Sequence, residues 1–292
     1  MITFSVIIPH HNIPQLLQRC LDSIPDVPDV QVIVVDDNSS ADKVDFDHFP
    51  GLERKYTEYV FDKQGGGAGH ARNVGMQHAD GKWLVFADAD DFFVDDAFDM
   101  LYKHRDDSED VILFKAESVN SDDYTPSDRH LRLNKAIDDA LSGEISVKKA
   151  ILKIPSPWSK MFRRSYIQGR GVTFDETYAS NDMMFVLKAT CWANDNAVKV
   201  VDEHLYVVTT RSGSLVALKG TSPRNYLSTL DVLIRCNQFC TDGNYERRPI
   251  LVQVIRGLKI GPRTFWKALV YAIRTHSLFS GLSVIFKKMV WR

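Results

Sequence analysis

The sequence predicts an α/β protein, with a mostly parallel sheet flanked by helices and a helical tail. Short, nearly continuous apolar runs, which are typical of buried parallel strands, recur through the first hundred residues. Stretches with helical spacing lie between those runs, and this alternation favours parallel pairing through right-handed crossovers. The chain has 292 residues, 44% of them hydrophobic and 25% charged, so it can bury a large core and fits no disordered or fibrous class.

Three apolar runs rich in β-branched residues predict the first three strands. They cover residues 3–9, where Pro9 is expected to end the strand, residues 30–35 and residues 56–61. Between the first two runs a helix is expected from about residue 14, because one apolar face is formed by Leu17, Cys20, Leu21 and Ile24.

A glycine-rich stretch, residues 64–69, precedes a helix that should run to Ala79, after which Asp80 and Gly81 form a turn. The stretch has neither the Gly-x-Gly-x-x-Gly of a first βαβ unit nor the Lys-Ser/Thr of a Walker motif. It therefore reads either as a phosphate loop of another kind or as a flexible lid.

Beyond residue 91 the pattern is looser. It predicts two further helices, at residues 97–105 and 182–192, and two further strands, at residues 110–116 and 197–209. A long polar loop or hairpin is expected at residues 118–134, and prolines exclude a continuous helix at residues 149–160. From residue 225 onward helical patterns dominate.

An apolar strand that begins at Lys82 delivers three carboxylates at its end, those of Asp88, Asp90 and Asp91. Ligands of open α/β sheets bind beyond the carboxyl ends of the strands. Mg²⁺ and Mn²⁺ prefer oxygen ligands and commonly share carboxylates with substrate phosphates. The sequence therefore predicts a metal-diphosphate site here. Residues 45–47 repeat the Asp-x-Asp spacing, but no apolar strand precedes them, so they are expected to lie in a solvated loop.

Three other polar residues each allow two interpretations. Asp37 ends the second strand, where it would either brace a turn or accept a hydrogen bond from a nucleotide base. Arg72 would either grip a diphosphate or form a surface ion pair. Asp182 precedes an apolar helix. It would either cap that helix or act as a general base that faces the metal site.

Five motifs in register give the chain a resemblance to glycosyltransferase family 2, the inverting enzymes of GT-A fold that use nucleotide-sugar donors. The resemblance covers roughly residues 3–215. The motifs are Ser5-Val6-Ile7-Ile8-Pro9-x-x-Asn12, Val34-Val35-Asp36-Asp37-Asn38-Ser39, Ala71-Arg72-Asn73-x-Gly75, Gly81-Lys82-Trp83-Leu84-Val85-Phe86-Ala87-Asp88-Ala89-Asp90-Asp91 and Trp158-Ser159-Lys160-Met161-Phe162.

The resemblance implies a division of the chain and roles for particular residues. Residues 1–100 would form the half that binds the nucleotide sugar, residues 101–215 the half that binds the acceptor, and residues 216–292 a basic helical extension. The donor would contact Pro9, His11, Asn12, Asp37, Arg72 and Asp88. Of these, Pro9, His11 and Asp37 would line the nucleobase pocket, and Arg72 and Asp88 would reach the ribose and diphosphate. Asp88 and Asp90 would hold Mn²⁺ or Mg²⁺, and Asp182 would be the catalytic base.

Two positions depart from the family pattern. His11 stands where a tyrosine usually stacks on the base, and Asn181 precedes Asp182 where a glutamate is more common. Trp158 and Lys160 are candidates for the acceptor pocket, because aromatic rings suit sugar faces. Their alternative is core packing for the tryptophan and a surface charge for the lysine.

The implied function is metal-dependent transfer of a sugar, from a UDP-sugar by preference, to a hydroxyl of a glycan or lipid-linked acceptor. An inactive nucleotide-sugar-binding or scaffold protein is the alternative from another class. A metal-dependent nucleotidyltransferase is less favoured, because that class should show a basic glycine-rich loop after the first strand. No nucleic-acid partner is expected.

The tail has its own charge pattern. Residues 247–292 hold ten of the 36 Lys and Arg residues and none of the 38 Asp and Glu residues. A helical wheel places Arg263, Lys267 and Arg274 within about 40° of one another, beside apolar residues that include Trp266. The longest uncharged run there, residues 275–286, is shorter than the about 20 residues that span a membrane.

These features predict peripheral contact of residues 247–292 with an anionic membrane. The alternative is a helix that packs on the catalytic domain with its basic face in water or against an acidic partner. No secretory signal is evident, and the four cysteines show no metal-like or redox-pair spacing. A cytoplasmic protein at the inner face of the cell membrane is therefore expected.

Overall fold

The computed structural model describes residues 1–211, 222–239 and 245–282. Eight strands of that part of the chain form one sheet: β1 (Phe4–His10), β2 (Val30–Asp37), β3 (Thr57–Asp62), β4 (Trp83–Phe86), β5 (Phe92–Phe93), β6 (Val111–Asn120), β7 (Lys160–Arg163) and β8 (Val198–Thr210). Their order in space is β3-β2-β1-β4-β7-β6-β8-β5.

The described helices are α1 (Pro14–Asp22), α2 (Gly67–His78), α3 (Ala97–Lys103), α4 (Leu131–Leu141), α5 (Val147–Lys153), α6 (Arg164–Gly169), α7 (Met183–Cys191), α8 (Pro223–Phe239), α9 (Ile250–Arg256) and α10 (Pro262–Arg274). The main core fills the space between the sheet and α1 to α7, and the buried faces of β1, β2 and β4 supply much of it.

The first four strands pair in parallel. β1 lies between β2 and β4, and β3 extends the sheet beyond β2. Almost every residue of β1, β2 and β4 is buried, as the continuous apolar runs predicted. Because the carboxyl ends of parallel strands meet at one edge, the segments after His10, Asp37 and Phe86 lie together.

Pro9 does not end the first strand, which continues to His10. The Ile7 carbonyl accepts a hydrogen bond from the Ala87 N–H, and the alternation of a strand turns Pro9 to that same side. β4 pairs with β1 only as far as Ile7, so the missing N–H of Pro9 interrupts no bond to β4.

The second half of the sheet is mixed. β7 runs antiparallel between β4 and β6, while β8 is parallel to β6 and antiparallel to β5. The short strands β5 and β7 were not predicted. The loop expected at residues 118–134 is wrong in part, since β6 continues to Asn120 and α4 begins at Leu131.

Helix α2 approaches its neighbours closely at two glycines. A Cβ atom on Gly75 would lie 2.5 Å from the Cγ2 atom of Ile7 in β1. One on Gly69 would lie 2.1 Å from the backbone oxygen of Asp175. The absence of side chains at these positions therefore lets α2 lie against both the sheet and the segment that precedes α7.

The predicted helical tail is present in the described residues. An apolar cluster joins α8, α9 and α10, and its buried members are Leu230, Leu233, Ile234, Ile250, Val254, Ala268 and Ala272. Across the ranges that the structure covers, no helix has the length and apolar character needed to span a membrane. The end of the tail, residues 283–292, lies outside the described residues.

Candidate active site

A buried hydrogen bond between side chains joins the ends of β1 and β2. His10 Nδ1 lies 2.7 Å from Asp36 Oδ1, and His10 Nε2 accepts a hydrogen bond from the Ile13 N–H, which places the ring proton on Nδ1. Asp36 also accepts bonds from the Ser39 hydroxyl and N–H. These bonds hold the Asp36 carboxylate charged against the cost of burial, and its pKa is lowered. The loops after both strands are thereby fixed.

The expected base-binding residues lie along this edge. The exposed His11 ring donates from Nδ1 to the Asp37 carbonyl, 2.8 Å away, and its Nε2 atom accepts from the Asn12 side-chain amide. Asn12 also accepts from the Ser40 N–H and donates its own N–H to Ser39. Pro9 precedes this group in β1. The structure brings the four predicted residues to one edge, while their contact with a base stays a prediction.

Asp37 braces the glycine stretch. Both of its carboxylate oxygens accept from the Gly67 N–H, at 3.0 and 2.9 Å. Gly67 has φ +83°, a conformation that favours glycine, and it opens α2. The structure therefore contains the turn-bracing hydrogen bonds of Asp37. Contact with a nucleotide base stays a prediction, and the same carboxylate would have to make both sets of contacts.

Arg72 links two parts of the site from within α2. Its Nη2 atom lies 2.5 Å from Asp88 Oδ1, and its Nη1 atom donates to Asn181 Oδ1 at 3.0 Å. The residue is only 5% exposed, so the interpretation as a surface ion pair is wrong. A buried guanidinium needs such partners because desolvating a charge is costly.

The three carboxylates after β4 form one cluster. Asp88, Asp90 and Asp91 each place an oxygen within 4.8 Å of the others. Asp90 Oδ2 accepts from Arg211, and the buried Asp91 accepts from the Thr209 N–H at 2.7 Å. Burial raises the pKa of Asp91, and the carboxylates of Asp90 and Asp88 raise it further.

This cluster has the donor set that a hard divalent cation requires. In the described part of the chain, hydrogen bonds engage Asp88 only at Oδ1 and Asp90 only at Oδ2, so each has a second oxygen to offer. A cation would also offset the repulsion that raises the pKa of Asp91. The carboxylates therefore fit Mg²⁺ or Mn²⁺ better than a softer metal.

The carboxylate cluster is held in place by three side chains that the sequence did not reveal. The Asp88 N–H donates to the Tyr206 hydroxyl at 2.8 Å, and the Asp90 carbonyl accepts from the Thr209 hydroxyl and from Arg19. Tyr206 and Thr209 belong to β8, and Arg19 to α1. Strand periodicity predicted β8, but it carries no information about which distant loop that strand faces.

A cavity of about 540 Å³ adjoins the cluster, and Asp182, the expected general base, lines it. Its walls include Arg72, Asp88, Trp158, Asn181 and Asp182. Asp182 occupies the position before the first residue of α7, yet its side chain makes no capping hydrogen bond. Asp182 and Asp88 thus line the same cavity, and the role of Asp182 as a general base stays a prediction.

Trp158 and Lys160 occupy different positions. Trp158 lines the cavity and stacks on Tyr206, with ring centroids 5.9 Å apart. Lys160 has no exposed surface, and its ammonium donates to the Ile154 and Ser156 carbonyls. Burial lowers its pKa to about 7, against the effect of the nearby Asp182 carboxylate. The interpretation of Lys160 as a surface charge is therefore wrong. The lysine supports the loop beneath Trp158, and its part in an acceptor pocket stays a prediction.

The segment before α7, residues 174–182, is tied to α2. Asn73 exchanges two hydrogen bonds with the Phe174 backbone, at 2.8 and 3.0 Å. His70 lies 3.1 Å from Glu176 and 2.9 Å from Asp62. These contacts set the position of Asn181 and Asp182 relative to the carboxylate cluster. Residues 45–47, a decoy that repeats the Asp-x-Asp spacing of the cluster, lie exposed in a loop, as predicted.

Comparison with known proteins identifies relatives. The family described as Glycosyl transferase family 2 matches residues 5–171. Poly(ribitol-phosphate) beta-N-acetylglucosaminyltransferase TarS of Staphylococcus aureus is 25% identical over 249 residues, which cover 80% of this chain and 40% of that protein. Poly(ribitol-phosphate) beta-glucosyltransferase of Bacillus spizizenii is 26% identical, over 79% of this chain and 36% of that protein. The chain therefore spans less than half the length of these relatives.

Solved structures share the fold. The crystal structure of S. aureus TarS 1-349 in complex with UDP-GlcNAc has a TM-score of 0.64 at 20% identity, covering 94% of this chain and 81% of that one. Mannosyltransferase PcManGT from Pyrobaculum calidifontis, in complex with GDP-Man and Mn²⁺, has a TM-score of 0.54 at 16% identity, covering 98% and 79%. The predicted α/β architecture of GT-A type is confirmed.

The His70 ion pairs should make stability depend on pH. The hydrogen bond with Glu176 raises the pKa of His70, and the Glu176 and Asp62 carboxylates add to that effect. The stabilising contribution is therefore complete below the unfolded pKa of about 6.5 and is lost as the pH rises through the higher folded value. His70→Gln should lower the free energy of unfolding by up to about 1 kcal/mol at pH 6 and by less at pH 9.

Urea denaturation at the two pH values measures this difference. His48→Gln is the matched control, because the His48 side chain is 85% exposed in its pair with Asp45. An equal loss for His70→Gln at both pH values would contradict an ionic contribution.

Proposed function

Because the chain belongs to glycosyltransferase family 2, we propose that it transfers a sugar from a nucleoside-diphosphate donor, uridine diphosphate by preference, to a hydroxyl group of a glycan or lipid-linked acceptor. One observation carries the proposal: Asp182, Asp88 and Arg72 face a single cavity. A base, a metal-ligating carboxylate and a cation for the diphosphate are the groups that this displacement needs in one place. The expected family membership is confirmed by the match over residues 5–171.

The relatives support a narrower choice of substrates. Two of them are named as transferases that act on poly(ribitol-phosphate), and the TarS structure holds UDP-GlcNAc. We extend to this chain the chemical class of those substrates, a UDP-sugar donor and a polymer that presents polyol hydroxyls and phosphate groups.

On the donor side, the protein would bind and orient the leaving group. Asp37 and His11 would contact the base at the exposed edge, and Arg72 would exchange part of its bond with Asp88 for a diphosphate oxygen. A divalent cation held by Asp88 and Asp90 would supply charge neutralisation on the departing diphosphate. Arg19, Tyr206 and Thr209 would keep both aspartates in place through their backbones.

On the acceptor side, Asp182 would take the proton. The acceptor hydroxyl loses its proton more readily as its oxygen bonds to the anomeric carbon, so a carboxylate is a sufficient base. Attack from the face opposite the nucleotide inverts the configuration at that carbon. Trp158 would offer a flat apolar surface to the acceptor sugar, while Lys160 supports the loop from below.

The other classes are less well supported. A scaffold protein without catalysis has no need for Asp182 beside a carboxylate cluster, and family membership argues against a nucleotidyltransferase. The following two experiments separate these possibilities.

Asp182→Asn should keep donor binding and lose turnover, because the amide has the shape of the carboxylate but cannot accept the proton. A loss of about 10²-fold or more in kcat is expected, with the UDP dissociation constant unchanged. Initial-rate assays and calorimetry measure the two quantities. Asp42→Asn, a change of the same kind on a side chain 72% exposed, is the control. Near-normal turnover of Asp182→Asn would sink the assignment.

Nucleotide binding should depend on a divalent cation. Calorimetric titration with UDP, GDP, TDP and CDP, each with and without Mn²⁺, should show one preferred nucleotide, with affinity lost in Asp90→Ala. Asp47→Ala removes the matching carboxylate from the exposed decoy and should bind as the unaltered protein does. If no nucleotide binds, the scaffold interpretation becomes the better one.

The outer face of α10 supports the expected membrane contact. Trp266, Val270 and Ile273 are 61%, 44% and 53% exposed, while Ala268 and Ala272 face the interior. At 100° per residue the three apolar side chains form one strip, and the basic Arg263, Lys267 and Arg274 form a second strip beside it. We propose that this face lies on an anionic membrane, with the apolar strip inserted at the interface.

Vesicle co-sedimentation tests this contact. Trp266→Ser with Ile273→Ser should weaken binding to phosphatidylglycerol-containing vesicles about tenfold or more, because each buried apolar side chain contributes roughly 1.5–3 kcal/mol. Leu131→Ser, which removes a side chain 57% exposed on α4, is the control. Undiminished binding by the double variant would contradict the proposal.

A further inference from the structure

The cavity that holds Asp182 has a strongly basic lining. Besides Arg72, its walls carry five basic side chains against two acidic ones, Asp88 and Asp182. The five are Arg129, Arg132, Lys153, Arg248 and Arg256. They come from the segment before α4, from α4, α5 and α9, and from the segment before α9, so the fold gathers them from distant parts of the chain.

Three of these side chains meet closely. Arg132, Lys153 and Arg248 also line a small adjoining cavity together with Glu246. Burial lowers the pKa of Arg132, and the nearby Arg248 guanidinium lowers it further, with Glu246 offsetting part of the effect. Two guanidinium groups have therefore been brought together although they repel each other.

The ion pairs of these three side chains do not neutralise all of their positive charge. Lys153 has a partner in Asp139, 3.1 Å away. For Arg132 and Arg248, the described residues provide no ion pair, and Arg129 donates only to the Thr209 carbonyl. A bound anion between the guanidinium groups would remove the repulsion and would match the fork geometry of arginine.

The position of these groups indicates which substrate supplies the anion. The donor diphosphate already has the carboxylate cluster and Arg72 at the carboxyl edge of the parallel strands. Arg132, Lys153 and Arg248 come instead from α4, from α5 and from the segment before α9, and they line the same cavity as Trp158 and Asp182. A cavity of about 540 Å³ is large enough for a sugar or polyol unit together with a phosphate.

We propose that Arg132 and Arg248, with Lys153 beside them, bind a phosphate group of the acceptor and so select acceptors that carry phosphate near the reacting hydroxyl. This inference rests on the proposed function and assigns a specificity site to it. The phosphate belongs either to a phosphodiester within a polymer or to the diphosphate of a lipid-linked acceptor, and the experiment distinguishes these sources.

The test compares Arg132→Gln/Arg248→Gln with Lys103→Gln/Arg105→Gln, which removes two charges from exposed side chains. Initial rates are measured with a ribitol-phosphate oligomer, a polyprenyl-diphosphate-linked disaccharide in detergent, and a neutral oligosaccharide. The first double variant should raise KM for a phosphate-bearing acceptor about 10- to 100-fold and change kcat and the neutral acceptor little. UDP binding, unchanged, shows that the variant is folded.

Each outcome decides the proposal. A KM effect with the oligomer identifies a polymer phosphate, and an effect with the lipid-linked acceptor alone identifies its diphosphate. An equal effect on the neutral acceptor, an equal effect in the control, or no effect overturns the site. If the unaltered protein transfers no sugar, the proposed function fails, and calorimetric binding of the ribitol-phosphate oligomer to both variants still tests the phosphate site.

Discussion

The buried guanidinium of Arg72 connects the parts of the candidate site. One of its nitrogens bonds to Asp88 after β4, and another bonds to Asn181 before α7. Removing Asp88 would leave the buried guanidinium without its ionic partner, which is more costly than the loss of an exposed pair. The distance between the carboxylate cluster and Asp182 is thus set by one side chain that rises from α2.

The position of α2 depends in turn on residues that are small or that bond to the backbone. Gly75 allows the helix to approach Ile7 of the central strand, and Gly69 allows the Asp175 carbonyl to approach the helix. Asn73 then fixes the Phe174 backbone through two hydrogen bonds. Residues 174–182 have no regular secondary structure of their own, so these contacts with α2 take the place of a strand ladder in positioning Asp182.

The second half of the chain completes the site in two ways. β8 holds the carboxylate cluster through Tyr206 and Thr209, while α4, α5, α9 and the segments before α4 and α9 supply basic side chains to the cavity. Under the proposed function, the carboxylates would receive the donor diphosphate through a cation, whereas the basic side chains would receive an acceptor phosphate directly. Electrostatics would then separate donor from acceptor.

The sequence by itself determined the strand-and-helix order as far as β4 and the carboxylates after that strand, because buried strands and strand ends depend on local patterns. It also brought Asp37, Arg72 and Asp182 forward as candidates, although their roles stayed open. Only the tertiary structure decided that Arg72 is buried, that Lys160 lies beneath the cavity wall, and that Tyr206, Thr209 and Arg19 frame the aspartates. The convergence of Arg132 and Arg248 was equally invisible, since their charges are 116 positions apart in the sequence. Periodicity fixes which face of an element is buried, whereas the partners of that face depend on how distant elements pack.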